Sequence, residues 1–249
     1  MYLKKVFLFV LLLLPLPALA DKLGFWIGGG VWDQTISGTV RSSLDPNDTI
    51  DVEKDLQLQD TQDGYLYAII EHPIPILPNF KLATTKQGFE GSGTLNVTFN
   101  GISFSESVDS IVNLDHTDLT LYWQVLDKKA IELDLGLTGR KYDGFARIQS
   151  RADPNKRSEE NLDEIVPMLY GRLAFGLPVE GLLIGVDGNY VSYGDGLLSD
   201  VSARIAYQTD YVVGIEVGYR SQKLELDNVD EVFSNLTIDG PFVAIFAHF

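Results

Sequence analysis

Between residues 130 and 142 the chain alternates: Ile131, Leu133, Leu135 and Leu137 take the odd positions, while Glu132, Asp134, Gly136, Thr138 and Arg140 take the even ones. A period of two puts successive side chains on opposite faces of a strand, so one face is aliphatic and the other ionic. The same division recurs along the chain. Leu119, Leu121, Trp123 and Val125 oppose Asp118, Thr120, Tyr122 and Gln124; Val201, Ala203, Ile205 and Tyr207 oppose Asp200, Ser202, Arg204, Ala206 and Gln208. Val213, Ile215, Val217 and Tyr219 oppose Gly214, Glu216, Gly218, Arg220 and Gln222. Residues 236–249 carry Val243, Ile245, Ala247 and Phe249 on one face, and weaker alternation marks 23–36, 64–72, 80–90, 164–177 and 182–193. The pattern predicts ten strands, and no helix that spans a membrane: the most apolar stretch, 166–191, is broken by Pro167, Arg172, Pro178 and Glu180.

The connections also alternate. Residues 73–79, 127–129, 178–181 and 209–210 are short and rich in turn formers, whereas 37–63, 91–113, 143–163 and 227–235 are long and polar, with only 194–197 brief among them. Short turns at one end and long loops at the other mark a transmembrane barrel of the bacterial outer membrane. Within 91–113, Asn100-Gly101 stands between two alternating runs and predicts a type I′ hairpin. Taken as two strands carried beyond the bilayer, that hairpin leaves the count at about ten, with eight or twelve as the alternatives.

Alternation alone does not separate a lipid-facing barrel from a soluble one, because the apolar face can point either way. Three features favour the membrane. The polar face holds Glu132, Asp134, Arg140, Arg172, Asp187, Asp200, Arg204, Glu216 and Arg220 and is poor in Lys; the planar guanidinium suits crowded ion pairs better than the ammonium does. Phe25, Phe80, Trp123, Phe175, Tyr190, Tyr207 and Tyr219 lie toward strand ends on the apolar face, as interface girdles require. The last residue is Phe249.

Composition narrows the classes further. The 249 residues carry 35 acids against 19 bases, a net charge of −16, and no Cys. Duplex nucleic acid, which demands a basic face, is excluded as a partner, and so are disulfides and cysteine-bound metals. Lys4 and Lys5, the apolar run 6–14, Pro15 and Pro17, and Ala18-Leu19-Ala20 read as a secretory signal peptide over residues 1–20, cleaved after Ala20. Residues 21–249 then form one barrel domain.

The final segment, Gly240-Pro-Phe-Val-Ala-Ile-Phe-Ala-His-Phe249, resembles the assembly signal of bacterial outer-membrane proteins, with Val243, Ile245 and Phe249 as its apolar positions. That resemblance implies insertion by the barrel assembly machinery. The first strand, with Trp26, Gly28, Gly29, Gly30 and Trp32, is similar to that of a group of uncharacterised outer-membrane barrels marked by a Gly-Gly motif. Neither resemblance carries an established activity.

Candidate chemistry is sparse. Gly28, Gly29 and Gly30 lack the Lys-Ser/Thr and the helix of a phosphate loop; they read as a strand whose missing side chains let Trp26 and Trp32 pack against the opposite wall. His72 and His248 fall near the short turns, and His116, with Asp118 and Thr120, points inward at the loop end of its strand. A lipid hydrolase or protease could use His116 and Asp118 with Ser103 or Ser105 as nucleophile. The ten-stranded proteases of the omptin family carry an Asp-x-His pair, whereas here Asp115 directly precedes His116, so the spacing differs. Ten strands stand just above the number whose interior side chains fill, so the inward charges are expected to crosslink into a plug rather than line a wide pore. Asp45-Pro-Asn47-Asp-Thr49-Ile50, at the head of an acidic stretch that runs to Asp63, lacks the glycine and terminal glutamate of a calcium loop, and Arg147, Arg151, Lys156 and Arg157 could touch lipopolysaccharide phosphates. The sequence thus predicts an all-β, closed, antiparallel, up-and-down transmembrane β-barrel. It is expected to work without metal or cofactor among outer-membrane lipids and lipopolysaccharide, as a non-enzymatic structural or surface-interacting envelope protein. A narrow channel for small solutes is second and an outer-membrane hydrolase or protease third.

Overall fold

A computed structural model describes residues 23–42, 44–45, 48–128, 130–194, 196–229 and 232–249; the leader expected over 1–20 lies outside them. The chain forms β1 (Gly24–Ser42), β2 (Thr49–Asp51), β3 (Thr61–Glu71), β4 (Asn79–Thr85), β5 (Gly88–Phe99), β6 (Ile102–Asn113), β7 (His116–Lys128), β8 (Ile131–Tyr142), β9 (Gly144–Ser150), β10 (Arg157–Leu162), β11 (Ile165–Gly176), β12 (Leu182–Tyr193), β13 (Gly196–Gln208), β14 (Val213–Val229) and β15 (Val232–His248). Ten of these, in the order β1, β3, β4, β7, β8, β11, β12, β13, β14 and β15, pair antiparallel, and β15 returns to pair with β1, closing the barrel. Closure leaves the ten with no free edge, and Phe249 and Phe25 exchange backbone bonds of 2.9 and 3.2 Å at the seam.

Orientation follows the alternation. Leu135, Leu137, Ile205, Ile215, Val243 and Ile245 are exposed on the outside, whereas Asp134, Arg140, Asp200 and Glu216 are buried within. All seven aromatics expected in the girdles, from Phe25 to Tyr219, also face outward. An apolar belt that encircles the molecule is stable only against hydrocarbon, and the closed ladder satisfies the backbone groups that such a solvent cannot.

Beyond the belt the polarity inverts. On β15 the outward residues are Val243 and Ile245 up to Pro241, and past Gly240 the apolar residues Ile238 and Leu236 turn inward while Asn235 faces solvent. β5 and β6 continue this inside-apolar pattern: Phe89, Leu95, Phe99, Phe104 and Val108 are buried, and Ser92, Thr94, Asn96, Ser103, Ser105 and Ser107 are exposed. They join β9 and β10 in a separate four-stranded sheet at the long-loop end. Asn100 and Gly101 turn the hairpin with φ of 48° and 72°, both positive as a type I′ turn demands.

The strands beyond the belt revise two expectations. Residues 143–163 were read as a polar loop and contain β9 and β10, and residues 227–235 lie mostly in the paired ends of β14 and β15. On β10 the outward face is polar, with Glu159 and Asn161 exposed, so the aliphatic alternation that marks the membrane strands is absent there. The acidic stretch is used structurally as well. Asp48 accepts from Thr98 N at 2.6 Å and Asp45 from Gly101 N at 3.1 Å, fastening it to the hairpin. Asp51 accepts from Glu53 N and Lys54 N at 3.1 and 3.0 Å in an Asx turn.

Two outcomes test this architecture. Leu135→Arg puts a cation on the belt and should cost about 2–4 kcal/mol near the bilayer midplane, read as a lower urea midpoint for the barrel in vesicles. In the outer sheet, hydrogen bonds from Lys156 and Ser150 hold the Glu106 carboxyl below its ordinary range, and those from Ser92 and Arg151 do the same for Asp109. Carboxyls depressed in the folded state contribute stability above their unfolded values and lose it as pH falls through the folded ones. Amide exchange protection in β9 and β10, corrected for the intrinsic rate, should therefore drop in acid before that of β14 and β15.

Candidate functional site

The barrel interior is a polar vestibule of about 1210 Å³ open at the short-turn end, where Pro178, Gly181, Thr209 and Asp210 line its mouth. Strand parity aims charged side chains of β3, β4, β7, β8, β11, β12, β13 and β14 into it, and they sort into three tiers. Deepest is a closed knot. Arg140, wholly buried, donates through Nε and Nη2 to Asp118 at 2.7 Å each and through Nη2 to Asp200 at 2.5 Å. Arg220 forks onto Asp200 at 2.8 and 2.6 Å and reaches Thr85 Oγ1 at 3.2 Å, and Gln222 adds a bond of 2.8 Å to the same carboxylate. The Arg220 guanidinium also lies 4.6 Å from the centre of the Trp32 ring. Two carboxylates meet two guanidiniums, so the knot is neutral.

The middle tier is neutral too. Arg204 bridges Asp187 and Glu216, the latter at 3.0 Å, Lys81 approaches Asp187 at 3.4 Å, and the Tyr65 hydroxyl donates to Glu216 at 3.3 Å. At the short-turn end, Arg172 pairs with Glu132 at 2.8 Å and Asp134 at 3.1 Å, and the Tyr122 hydroxyl donates to Glu71 at 2.6 Å. Above the deepest knot the lumen turns apolar: Trp32, Ile36, Ile50, Val52, Leu56, Leu58, Phe89 and Phe104 pack into one core with Leu236, Ile238 and Phe242. The vestibule is thus a cup, sealed toward the long-loop end first by ion pairs and then by a dry plug.

All nine interior charges expected from parity, Glu132, Asp134, Arg140, Arg172, Asp187, Asp200, Arg204, Glu216 and Arg220, enter this network. Tyr122, expected on the polar face of its strand, lines the vestibule with them, and so do Glu71, Lys81, Tyr65 and Tyr170, which come from the weakly alternating strands and had not been singled out. His116 is buried, its Nδ1 2.9 Å from Leu114 O, and its Nε2 has no hydrogen-bond partner. Ser103 and Ser105 do not meet it. They sit on the exposed face of β6, bonded to Thr98 and Asn96, because odd positions of that strand point outward and even positions inward. His116, Asp118 and Asp200 bring ligand atoms within 4.8 Å of one another, but Arg140 and Arg220 already neutralise both carboxylates, so the donor set does not suit a divalent cation.

The first strand also departs from expectation. Trp26 stacks on His248 of the adjacent β15, ring centroids 3.9 Å apart, and Trp32 donates to Gly240 O at 3.1 Å, so neither reaches the opposite wall by itself. Gly28 has a different service: a Cβ there would lie 2.5 Å from the Tyr67 ring, which occupies its place. Val243, Ile245 and Phe249 face outward on the belt. Of the loop cations, Arg147 pairs with Glu159, Arg151 with Asp109 and Lys156 with Glu106, within the outer sheet, and Arg157 is exposed on β10.

This fold is that of the bacterial outer-membrane β-barrels. The outer membrane protease OmpT from Escherichia coli superposes with a TM-score of 0.54 at 11% identity, over 94% of this chain and 99% of that one. Ail, the attachment invasion locus protein of Yersinia pestis, matches over 92% and 100% at 10% identity with a TM-score of 0.38. The toluene transporter TodX of P. putida matches over 91% and 90% at 10% identity with a TM-score of 0.33. No family model and no curated protein sequence matches. At such identities the likeness carries the fold and nothing of the chemistry.

Arg140→Ala should be the most damaging change in the network. It leaves two buried carboxylates short of a cation and should cost about 3–5 kcal/mol, as breaking a buried pair from one side does. The measurement is the urea midpoint in vesicles, followed by tryptophan fluorescence. Glu132→Gln, half exposed at the mouth, should lower it by well under half as much.

Proposed function

We propose that this chain is an integral outer-membrane protein with its short turns in the periplasm, non-conducting and non-enzymatic, whose working surface is the outer sheet. The observation that carries the reading is the double seal of the lumen. Arg140 and its partners close the vestibule, and an apolar core of Trp32, Phe89, Phe104 and Ile238 lies above them. A solute crossing the barrel would have to break forked, desolvated ion pairs and then displace packed aromatic side chains. What faces the outside is the polar side of β5, β6 and β9, a ladder in which Ser92, Thr94, Asn96 and Thr98 bond to Asp109, Ser107, Ser105 and Ser103 across the hairpin. Such a rigid, hydrogen-bonding face suits contact with envelope polysaccharide or a surface partner.

A hydrolase centred on His116 is disfavoured by the same seal, which keeps that ring away from both the outer surface and any serine on β6. Membership in the Gly-Gly-motif group of barrels rests on Gly28, Gly29 and Gly30, and assembly by the barrel machinery on Val243, Ile245 and Phe249; both belong to this proposal.

Planar-bilayer recording decides between plug and conduit. The purified barrel should show no discrete openings. Openings that disappear when Arg140 or Arg220 is replaced would establish the narrow channel instead.

A further inference from the structure

In a closed ring of ten strands each strand faces the one five places on, so β1 looks across the cup to β11, β15 to β8 and β14 to β7. The walls that meet in this way differ in chemistry. On the seam side Trp26 of β1, Tyr65 and Tyr67 of β3, and Phe246 and His248 of β15 line the vestibule, each only partly buried. Glycines make room for two of these rings. Tyr67 leans over Gly28 and Phe246 over Gly214, each on a neighbouring strand, where a Cβ would strike the ring; both rings therefore lie along the wall and leave the cup open. Tyr65 continues the row, its ring 6.5 Å from that of Tyr67 and 15° from parallel, and the stacked Trp26 and His248 border it at the mouth. From Trp26 to the register of Gly30 with Tyr65 the row runs about 13 Å along the strand. The facing wall is polar where it is accessible: Gln124, Glu132 and Arg172 line the cup, whereas the rings on that side, Tyr122 and Tyr170, are buried.

We propose that the cup binds a neutral pyranose disaccharide with a β-1,4 linkage, or the end of a longer chain of that kind, entering through its open mouth. A pyranose whose hydroxyls are equatorial is itself two-sided, with C–H bonds pointing from its flat faces and hydroxyls from its rim. The C–H face meets the electron-rich faces of Tyr67 and Phe246. Across the cup the hydroxyls reach the Gln124 amide, the Glu132 carboxylate and the Arg172 guanidinium, which between them both donate and accept. A β-1,4 linkage keeps successive rings in one flat ribbon, which suits aromatic rings set in a row along the strands. Other solutes satisfy one wall only: an apolar aromatic strips water from the polar groups without replacing it, and an open-chain polyol covers little of the aromatic surface. Arg172 is already shared between Glu132 and Asp134, which disfavours an acidic sugar. The volume of about 1210 Å³ admits two rings with water around them.

The test is titration calorimetry with cellobiose on the refolded full barrel, in a detergent that has no sugar headgroup. Saturable one-to-one binding is expected. It should be about tenfold tighter than for sorbitol, which has the hydroxyls without the ring, and than for indole, which has a flat ring without the hydroxyls. Trp26→Ala and Phe246→Ala should each weaken it about tenfold, as truncating an aromatic contact does, and Gln124→Ala about fivefold, as losing one hydrogen bond does. Tyr67→Phe, which keeps the ring, and Trp123→Phe, on the outer belt, should leave it unchanged. Each variant is checked for the heat-dependent electrophoretic shift of a folded barrel; should a ring variant fail that check, Gln124→Ala carries the comparison. No saturable heat, equal affinity for sorbitol or indole, or undiminished binding in the folded variants would each overturn the proposal. Failure of the envelope reading would show separately, as channel openings in bilayers, and would leave this result standing.

Discussion

Everything in this molecule answers to the hydrocarbon that surrounds its middle. A strand that crosses lipid must turn its greasy side chains outward and satisfy its backbone within the sheet, which forces a closed cylinder and sends every charged residue into a narrow lumen. Once there, a charge is stable only beside its opposite, because little water is present to solvate it. The forked contacts of Arg140 and Arg220 on Asp118 and Asp200 are the direct result. Their planar geometry matches a carboxylate with two bonds at once, which explains why the inward face is written in arginine rather than lysine.

Where the lipid ends the rule reverses within single strands. β15 carries Val243 and Ile245 outward below Pro241 and Leu236 and Ile238 inward above it, and β1 shows the same change between outward Val31 and inward Ile36. In water a barrel gains by enclosing apolar surface, so the part above the membrane builds an ordinary hydrophobic core and seals the tube as a by-product. Gly240 marks the crossover on β15: its φ of +153° and its close approach to Asp33 O leave no room for a side chain.

The membrane half was legible in the sequence because alternation there is strong and one-signed, and the parity of β8, β13 and β14 alone located their inward charges. The outer half was not, although the information was present. On the last strand the apolar residues move from odd positions, Val243 and Ile245, to even ones, Leu236 and Ile238, and that shift in parity is the trace of the lipid boundary. Reading a single parity along the whole strand hides it. The serines offered as nucleophiles for His116 fall to the same inversion, since the face of β6 that bears Ser103 and Ser105 points to water. Glu71 and Lys81 were missed for a different reason: they lie in short strands mixed with Tyr, Ala and Thr, whose two faces differ too little in polarity to be told apart by pattern.

The uneven balance of the tiers follows from how water reaches them. In the dry upper lumen an unpaired charge would carry its full desolvation cost, so matching acids and bases there is a condition of folding. Toward the open mouth water screens the groups, and the fold no longer enforces a match. Surplus charge can therefore persist only where solutes can also arrive, in a tier that stability leaves free to carry it. Asp134 sits at the border between these regimes, one oxygen tied to Arg172 and the other buried without a bond. A residue so placed is poorly explained by stability alone: an asparagine or a leucine would spare the barrel a charge that Arg172 could instead share with Glu132.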